Sequence, residues 1–296
     1  MRQRNRPDRS GFTLIELIVA LGVGSLIVGV ILGGIQLTRA AAARAACQNN
    51  LRNMALALQL YADENKAYPP AIRRSNDPFP YLTWQARLLP YLEQEGPWRE
   101  LEADFKARPQ FWQPPRHRGE ARTISTFLCP AEPLSIAMVP SARSPVGFTH
   151  FLGVSGTSSV AADGILFLNS KTHPTEISDG LSSTIAVGER PPSADLHFGW
   201  WYAGVGQIAD GSADSVLGVR EYITTFRAPT CLGRDEGFRP GRQSNLCDAF
   251  HFYSNHRGGA NFAFADGSVR FLGYKAGSVL PALATRAGGE VVDFPE

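Results

Sequence analysis

From Phe12 to Ile35 the chain is almost wholly apolar, and its one ionisable side chain is Glu16. Wound as a helix, such a run covers roughly 36 Å at about 1.5 Å per residue, enough to cross a hydrocarbon core of about 30 Å. Arg2, Arg4, Arg6 and Arg9 precede it against a single acid, Asp8, a bias that keeps the N-terminus cytoplasmic and exports the remainder. The run is too long for an ordinary secretory signal, and Ala40 to Ala46 only imitate a cleavage site. A carboxylate inside a membrane segment costs a few kcal/mol, so intramembrane acids usually have a partner. Glu16 therefore calls for a nearby cation.

Beyond Thr38 the pattern stays helical but becomes amphipathic, with Leu51, Met54, Leu58 and Tyr61 on one face. Asn65 and Lys66 loosen the helix, and Pro69-Pro70 ends it because proline lacks the amide donor. The stretch from Pro70 to Pro115 is rich in proline and aromatics and reads as helix and loop, with an amphipathic helix from Trp84 to Leu92 interrupted by Pro90. From Thr123 onward, short β-like runs alternate with turn signals: "TISTFLC", "GFTHFLGV", "GILFLN", "STIAVGE", "FGWWYAGV", "REYITTF" and "NFAFADGSVRFL". Within the last, "ADGSV" carries an Asp-Gly pair between alternating apolar residues, a strong hairpin signal. These elements predict an α+β protein with a mainly antiparallel sheet packed on a long N-terminal helix. The expected organisation is a cytoplasmic leader over 1–11, a helix over 12–68 that spans the membrane at about 12–35, and an exported head over 69–296.

Composition adjusts this picture little. A formal net charge of +2 carries none of the one-sided basic excess expected of a nucleic-acid binder, so nucleic acid is not expected as a partner. The 29 glycines and 21 prolines suit a head built of many short strands and turns.

Cys47, Cys129, Cys231 and Cys247 all follow the apolar run, in a compartment that permits disulfides. Cys231 and Cys247 bracket a polar, Gly-rich loop and are the easier pair, which leaves Cys47 and Cys129, but all three connectivities stay open. Zinc competes, yet no Cys-x-x-Cys or nearby Cys/His set supplies tetrahedral spacing, and no metal ligand or cofactor is expected. His256 is followed by nine residues and then Asp266-Gly267. A His–Asp dyad would need a nucleophile and an oxyanion site as well, and no Gly-x-Ser-x-Gly elbow is present. The simpler reading has His256 and Asn261 bonding backbone in a loop, Asp266-Gly267 making a turn, and no catalytic residue. Asp-Gly also occurs at Asp163, Asp179 and Asp210, without EF-hand spacing.

The heptapeptide Gly11-Phe12-Thr13-Leu14-Ile15-Glu16-Leu17 resembles the type IV prepilin signature, in which a prepilin peptidase cuts after the glycine and methylates the new amine. That resemblance makes Gly11 and Phe12 the processing site. It makes Glu16 the assembly acid, fifth in the mature chain and neutralised by a neighbouring subunit's amine. "CQNNLRNMALALQLYADENKAYPP" resembles the second half of the same helix in type II secretion pseudopilins. With "TFLCPAEP", "FLGVSGT", "EISDGLSSTIAVGER" and "FYSNHRGGANFAFADGSVRFL" in order, the chain resembles, from Gly11 to about Leu272, the prepilin-type family known as domain-of-unknown-function 1559. That family's C-terminal motif is filled here by His256, Asp266 and Gly267. The resemblance implies a type IV pilin-like fold and a non-enzymatic structural subunit of a pilus or secretion-like filament, single-pass in the inner membrane with its head outside the cytoplasm. The implied partners are prepilin peptidase, other pilin-like subunits and inner-membrane lipid. Some pseudopilins bind Ca2+ in a C-terminal loop, which keeps calcium open as a ligand. The alternative is a membrane-anchored module binding a glycan or partner protein through Trp200 and Trp201, against which stands packing of these rings in the core.

Overall fold

A computed structural model describes residues 13–224, 229–233 and 235–290, so Gly11 and Phe12 lie outside the described residues. The chain divides into two compact units, 1–42 and 43–296. Helix α1, Leu14–Asn65, is one continuous element that begins in the first unit and ends in the second. In the first unit its apolar side chains are exposed, and its most apolar stretch has a mean hydropathy of 2.6, long and apolar enough to cross a membrane.

In the second unit α1 becomes a core helix. Cys47, Leu51, Met54, Ala55, Leu58 and Ala62 form a buried stripe at helical spacing, which includes three of the four predicted face residues, while Tyr61 packs partly buried beside it. The helix stops one residue before Lys66, which takes a left-handed φ of 61°. Its last turn is held by Asn65, whose side-chain amide donates to the Tyr61 carbonyl at 3.0 Å. The predicted helix over Trp84–Leu92 appears as α2, Trp84–Arg87, followed by a 3-10 turn over Leu89–Leu92 that holds Pro90 at its start, just after Leu89. The sequence pattern does not single out α3, Glu95–Ala107.

A hairpin of β1 (Ile136–Val139) and β2 (Ser144–Gly147) leads into the central sheet. That sheet is formed by β3 (Phe151–Gly156), β4 (Ile185–Glu189), β5 (Val216–Gly218), β8 (Gly259–Phe264) and β9 (Val269–Gly273), in the order β5-β3-β4-β8-β9. The pairing of β5 with β3 is parallel and the other three are antiparallel. A small ribbon of β6 (Arg220–Tyr222) and β7 (Asp235–Gly237) stands apart from it. A short helix, α4, Leu280–Ala284, closes the described fold.

Both faces of the sheet are covered, which is why β3, β4 and β8 are buried along their whole length. Phe151, Val187 and Ala263 point into the core shared with α1, while Leu152, Ile185, Phe262 and Phe264 point into a second core with Phe198, Phe250 and Leu280. The period-2 alternation of strand side chains thus feeds two apolar layers rather than one layer and solvent. The molecule is α+β and pilin-like in architecture, with a long N-terminal helix and a mainly antiparallel head.

Three predicted strands are absent. "TISTFLC" holds a 3-10 turn at Ser125–Phe127, and "FGWWYAGV" makes only isolated bridges, Phe148 with Trp200 and Leu82 with Ala203. "GILFLN" is buried but irregular. Its Gly164 amide donates to Ser155 and its Leu166 amide to Val154, without a continued ladder.

Candidate functional site

At the start of α1, Glu16 and Thr13 form a reciprocal cap. The Thr13 amide and hydroxyl donate to Glu16 Oε2 at 2.9 and 2.7 Å, and the Glu16 amide donates to Thr13 Oγ1 at 3.3 Å. This is the capping box of a Thr-x-x-Glu sequence, satisfying amides that would otherwise be orphaned at the helix start. The pattern is readable in the sequence, and it gives Glu16 a local role besides any pairing with another subunit.

The second concentration of chemistry lies deep in the head, where strand β4 ends. Glu189 closes β4, opposite Phe151 of β3, and is buried. Its carboxylate accepts the Asn261 backbone amide at 2.7 Å on Oε2 and the Asn261 side-chain amide at 3.0 Å on Oε1. Gln48 of α1 in turn donates to Asn261 Oδ1 at 2.9 Å. Just before β8, His256 brings Nε2 to 3.3 Å from Glu189 Oε1 and 3.4 Å from Cys129 Sγ. Cys129 is joined to Cys47 of α1 by a disulfide. The second disulfide is Cys231–Cys247, so of the three connectivities the structure takes the one with the short loop paired.

One sequence expectation changes here, and the dyad set aside in the sequence has no geometry to support it. His256 and Asn261 do not simply bond loop backbone, because both side chains converge on Glu189. His256 and Asp266 do not form a dyad, because β8 separates them, and a six-residue strand spans about 20 Å at roughly 3.3 Å per residue. The nine intervening residues are the entry loop, the strand and one turn residue. The motif spacing therefore measures one strand, with the buried histidine at one end and the β8–β9 turn at the other. Asp266 Oδ1 accepts the Ser268 amide at 2.8 Å, and Gly267 holds a φ of 86° that favours glycine.

The other Asp-Gly acids serve their own neighbourhoods. Asp163 accepts the Thr157 amide and hydroxyl, Asp179 the Gly288 and Gly289 amides, and Asp210 the Ser212 amide and hydroxyl. The four carboxylates do not share a common centre. The tryptophan pair divides, although the segment is not a strand. Trp201 is core, its indole donating to the Arg122 carbonyl at 2.7 Å, whereas Trp200 is partly exposed and lines a cleft of about 340 Å³ with Trp112, Arg116 and Asp214.

His150 braces the cluster from the side. The Cys129 amide can only donate, so His150 Nδ1 accepts it at 2.7 Å and Nε2–H donates to the Leu134 carbonyl at 2.6 Å, which fixes a neutral imidazole. Burial pushes its pKa down to about 4. A depressed histidine contributes stability that is complete above its unfolded pKa of about 6.5 and is lost as pH falls towards 4, up to about 3 kcal/mol. Glu120 and Asp214, raised by burial to about 7, act with the opposite sign over part of that window. Comparing the chain with a His150→Gln variant isolates the histidine. Thermal unfolding between pH 7 and pH 4.5 is expected to lose more stability in the parent than in the variant, and equal losses would contradict the assignment.

The described geometry and the sequence pattern meet in known families. The prokaryotic N-terminal methylation motif matches residues 6–32, covering Gly11 to Glu16 and most of the exposed apolar helix. The family described as "Protein of unknown function (DUF1559)" matches residues 36–276, a span that holds the core half of α1, every strand of the head, and the cluster of Cys47, Cys129, Glu189 and His256. No curated protein and no solved structure matches the chain. With that match running through most of its length and every element of the sheet, the chain belongs to the DUF1559 family and carries the N-terminal methylation motif ahead of it.

Proposed function

We infer that this protein is a type IV pilin-like or pseudopilin-like subunit, cleaved by a prepilin peptidase after Gly11, methylated at Phe12 and assembled through its N-terminal helix. The observation that carries the reading is the conjunction of the methylation motif with a helix whose apolar stretch, up to Ile35, holds a single acid, Glu16, in the helix's first turn. The leader's arginines favour an N-terminus in the cytoplasm and a head on the far side of the inner membrane. In the assembly Glu16 neutralises the freed amine of a neighbouring subunit, an ion pair worth most in a low-dielectric surrounding. The head supplies a large exported surface and the membrane helix supplies polymer contacts. No residue is assigned a catalytic role.

Two substitutions separate the steps. Gly11→Ala blocks cleavage, leaving the full-length precursor in membranes. Glu16→Gln preserves the cap, since glutamine also closes a capping box, but removes the charge, so the chain is still processed and drops out of assemblies. Gel mobility reads cleavage, and crosslinking between subunits in membranes reads assembly. Normal crosslinking of the Glu16→Gln chain would defeat the role given to its charge and leave Glu16 as a cap alone.

A further inference from the structure

The most concentrated chemistry in the head is used by nothing proposed above. Cys47, Cys129, Glu189 and His256 are all buried, and one ligand atom from each lies within 4.8 Å of the others. They come from four separate segments: the core half of α1, the loop before β1, the end of β4 and the loop before β8.

The distances fit a single ion. A tetrahedral zinc with sulfur at about 2.3 Å and nitrogen or oxygen at about 2.0–2.1 Å sets its ligand atoms roughly 3.3–3.8 Å apart. His256 Nε2 stands 3.4 Å from Cys129 Sγ and 3.3 Å from Glu189 Oε1, and the last two are 3.9 Å apart. The Cys47 sulfur lies within 4.8 Å of the other ligand atoms, and the two sulfurs, bonded in the disulfide between α-carbons 4.9 Å apart, would have to separate to take the ion. The outer contacts have the character of a supported site. Asn261 orients the Glu189 carboxylate through two hydrogen bonds, Gln48 orients Asn261, and His150 holds the Cys129 backbone. Two sulfurs with an imidazole and a carboxylate favour zinc among abundant divalent ions, as calcium and magnesium want oxygen alone.

We propose that these four side chains form a buried site of two thiolates, one imidazole and one carboxylate for a zinc-class cation when Cys47 and Cys129 are reduced, and that the disulfide is the metal-free alternative of the same site. A dithiol gives two electrons and two protons to the Cys47–Cys129 bond and leaves as its own disulfide. The cation then displaces the two thiol protons and takes both thiolates, His256 Nε2 and a Glu189 oxygen. Either state ties α1 to the loop before β1. The lack of any short Cys/His spacing in the sequence argues against zinc only for a local site, and this one is assembled by topology.

The test uses the full-length chain in detergent, without oxygen, reduced by a phosphine that takes oxygen from water as the disulfide gains two electrons and two protons. Cobalt(II) serves as the probe. The proposal expects one equivalent bound, with a thiolate-to-cobalt charge-transfer band and the visible bands of a tetrahedral ion, and displacement by zinc. Substituting Cys231 and Cys247 together by alanine leaves this signal in place. His256→Ala and Glu189→Gln each weaken binding at least about tenfold, and the Cys47→Ala, Cys129→Ala chain loses the thiolate band. Circular dichroism follows the fold throughout, and recovery of a reduced, unfolded chain on adding cobalt counts in favour because site formation and folding are linked. A reduced chain that takes no cobalt, folded or not, overturns the proposal, as does a thiolate band that survives loss of Cys47 and Cys129.

Discussion

Replacing Cys47 and Cys129 together by alanine lowers the stability of the oxidised head by about 4–5 kcal/mol, the larger of the two disulfide effects. The bond joins positions 82 apart, whereas Cys231–Cys247 joins positions 16 apart. In the chain-entropy account, the loss grows with the logarithm of the closed loop, giving about 4.5 kcal/mol for the first and about 3 kcal/mol for the second. The double substitution avoids an unpaired buried thiol, and alanine avoids burying a hydroxyl without a partner. Chemical denaturation of the full-length chain in detergent, without reductant, measures both variants. A larger loss from the Cys231 and Cys247 pair would contradict the view that the long-range link, from the core half of α1 to the loop before β1, constrains the chain more.

Glu189→Leu is expected to cost about 3–5 kcal/mol, comparable to breaking a buried ion pair by removing one partner. The carboxylate accepts both Asn261 donors and faces His256 Nε2, all in the interior. Leucine leaves three polar groups without their acceptor, each carrying a desolvation cost of about 1–3 kcal/mol before relaxation. Glu189→Gln keeps one acceptor but turns an amide group towards the Asn261 donors, so it falls between parent and leucine. Denaturation midpoints give the order. A leucine variant within about 1 kcal/mol of the parent would mean that the cluster does not hold β4 to β8. Because Cys129 Sγ lies 3.9 Å from Glu189 Oε1, combining this change with loss of the disulfide will not be additive.

The long helix is legible because two signals coincide along it, a continuous apolar run and then a 3.6-residue stripe through Leu51, Met54 and Leu58. Its end is legible too, through Asn65, Lys66 and the proline pair. The β8–β9 hairpin follows from Asp266-Gly267 between alternating apolar residues. "GILFLN" misleads because its apolar residues are buried without a ladder, with Gly164 pressed against the Gly156 backbone where a Cβ would meet the nitrogen at 2.4 Å. "FGWWYAGV" misleads because its aromatics serve a core and a cleft while its backbone bonds are spent on isolated bridges. The β1–β2 hairpin escapes notice because its turn carries no Gly; Arg143 takes the left-handed φ of 51° instead.

The buried cluster is the least legible feature. Its four side chains are scattered from position 47 to position 256, and neither periodicity nor spacing places them together. What does place them is a sheet order that sets β4 beside β8 and a disulfide that brings α1 to the loop before β1. The signal available in the sequence was indirect. Each of the four residues lies in one of the segments that carry the family resemblance, "CQNN", "TFLCP", "VGER" and "SNHRGG". Reading those segments as one converging site, rather than as separate turns and strands, would have found it.

The reading of this chain as a processed, filament-forming subunit rests on what happens at Gly11. Intact-mass and N-terminal analysis of the protein extracted from membranes of cells with an active prepilin peptidase tests it most directly. The mature chain is expected to begin at Phe12 and to carry a methyl group on its amine. A chain that still begins at Met1 in those cells would contradict it and reduce the apolar helix to a plain membrane anchor.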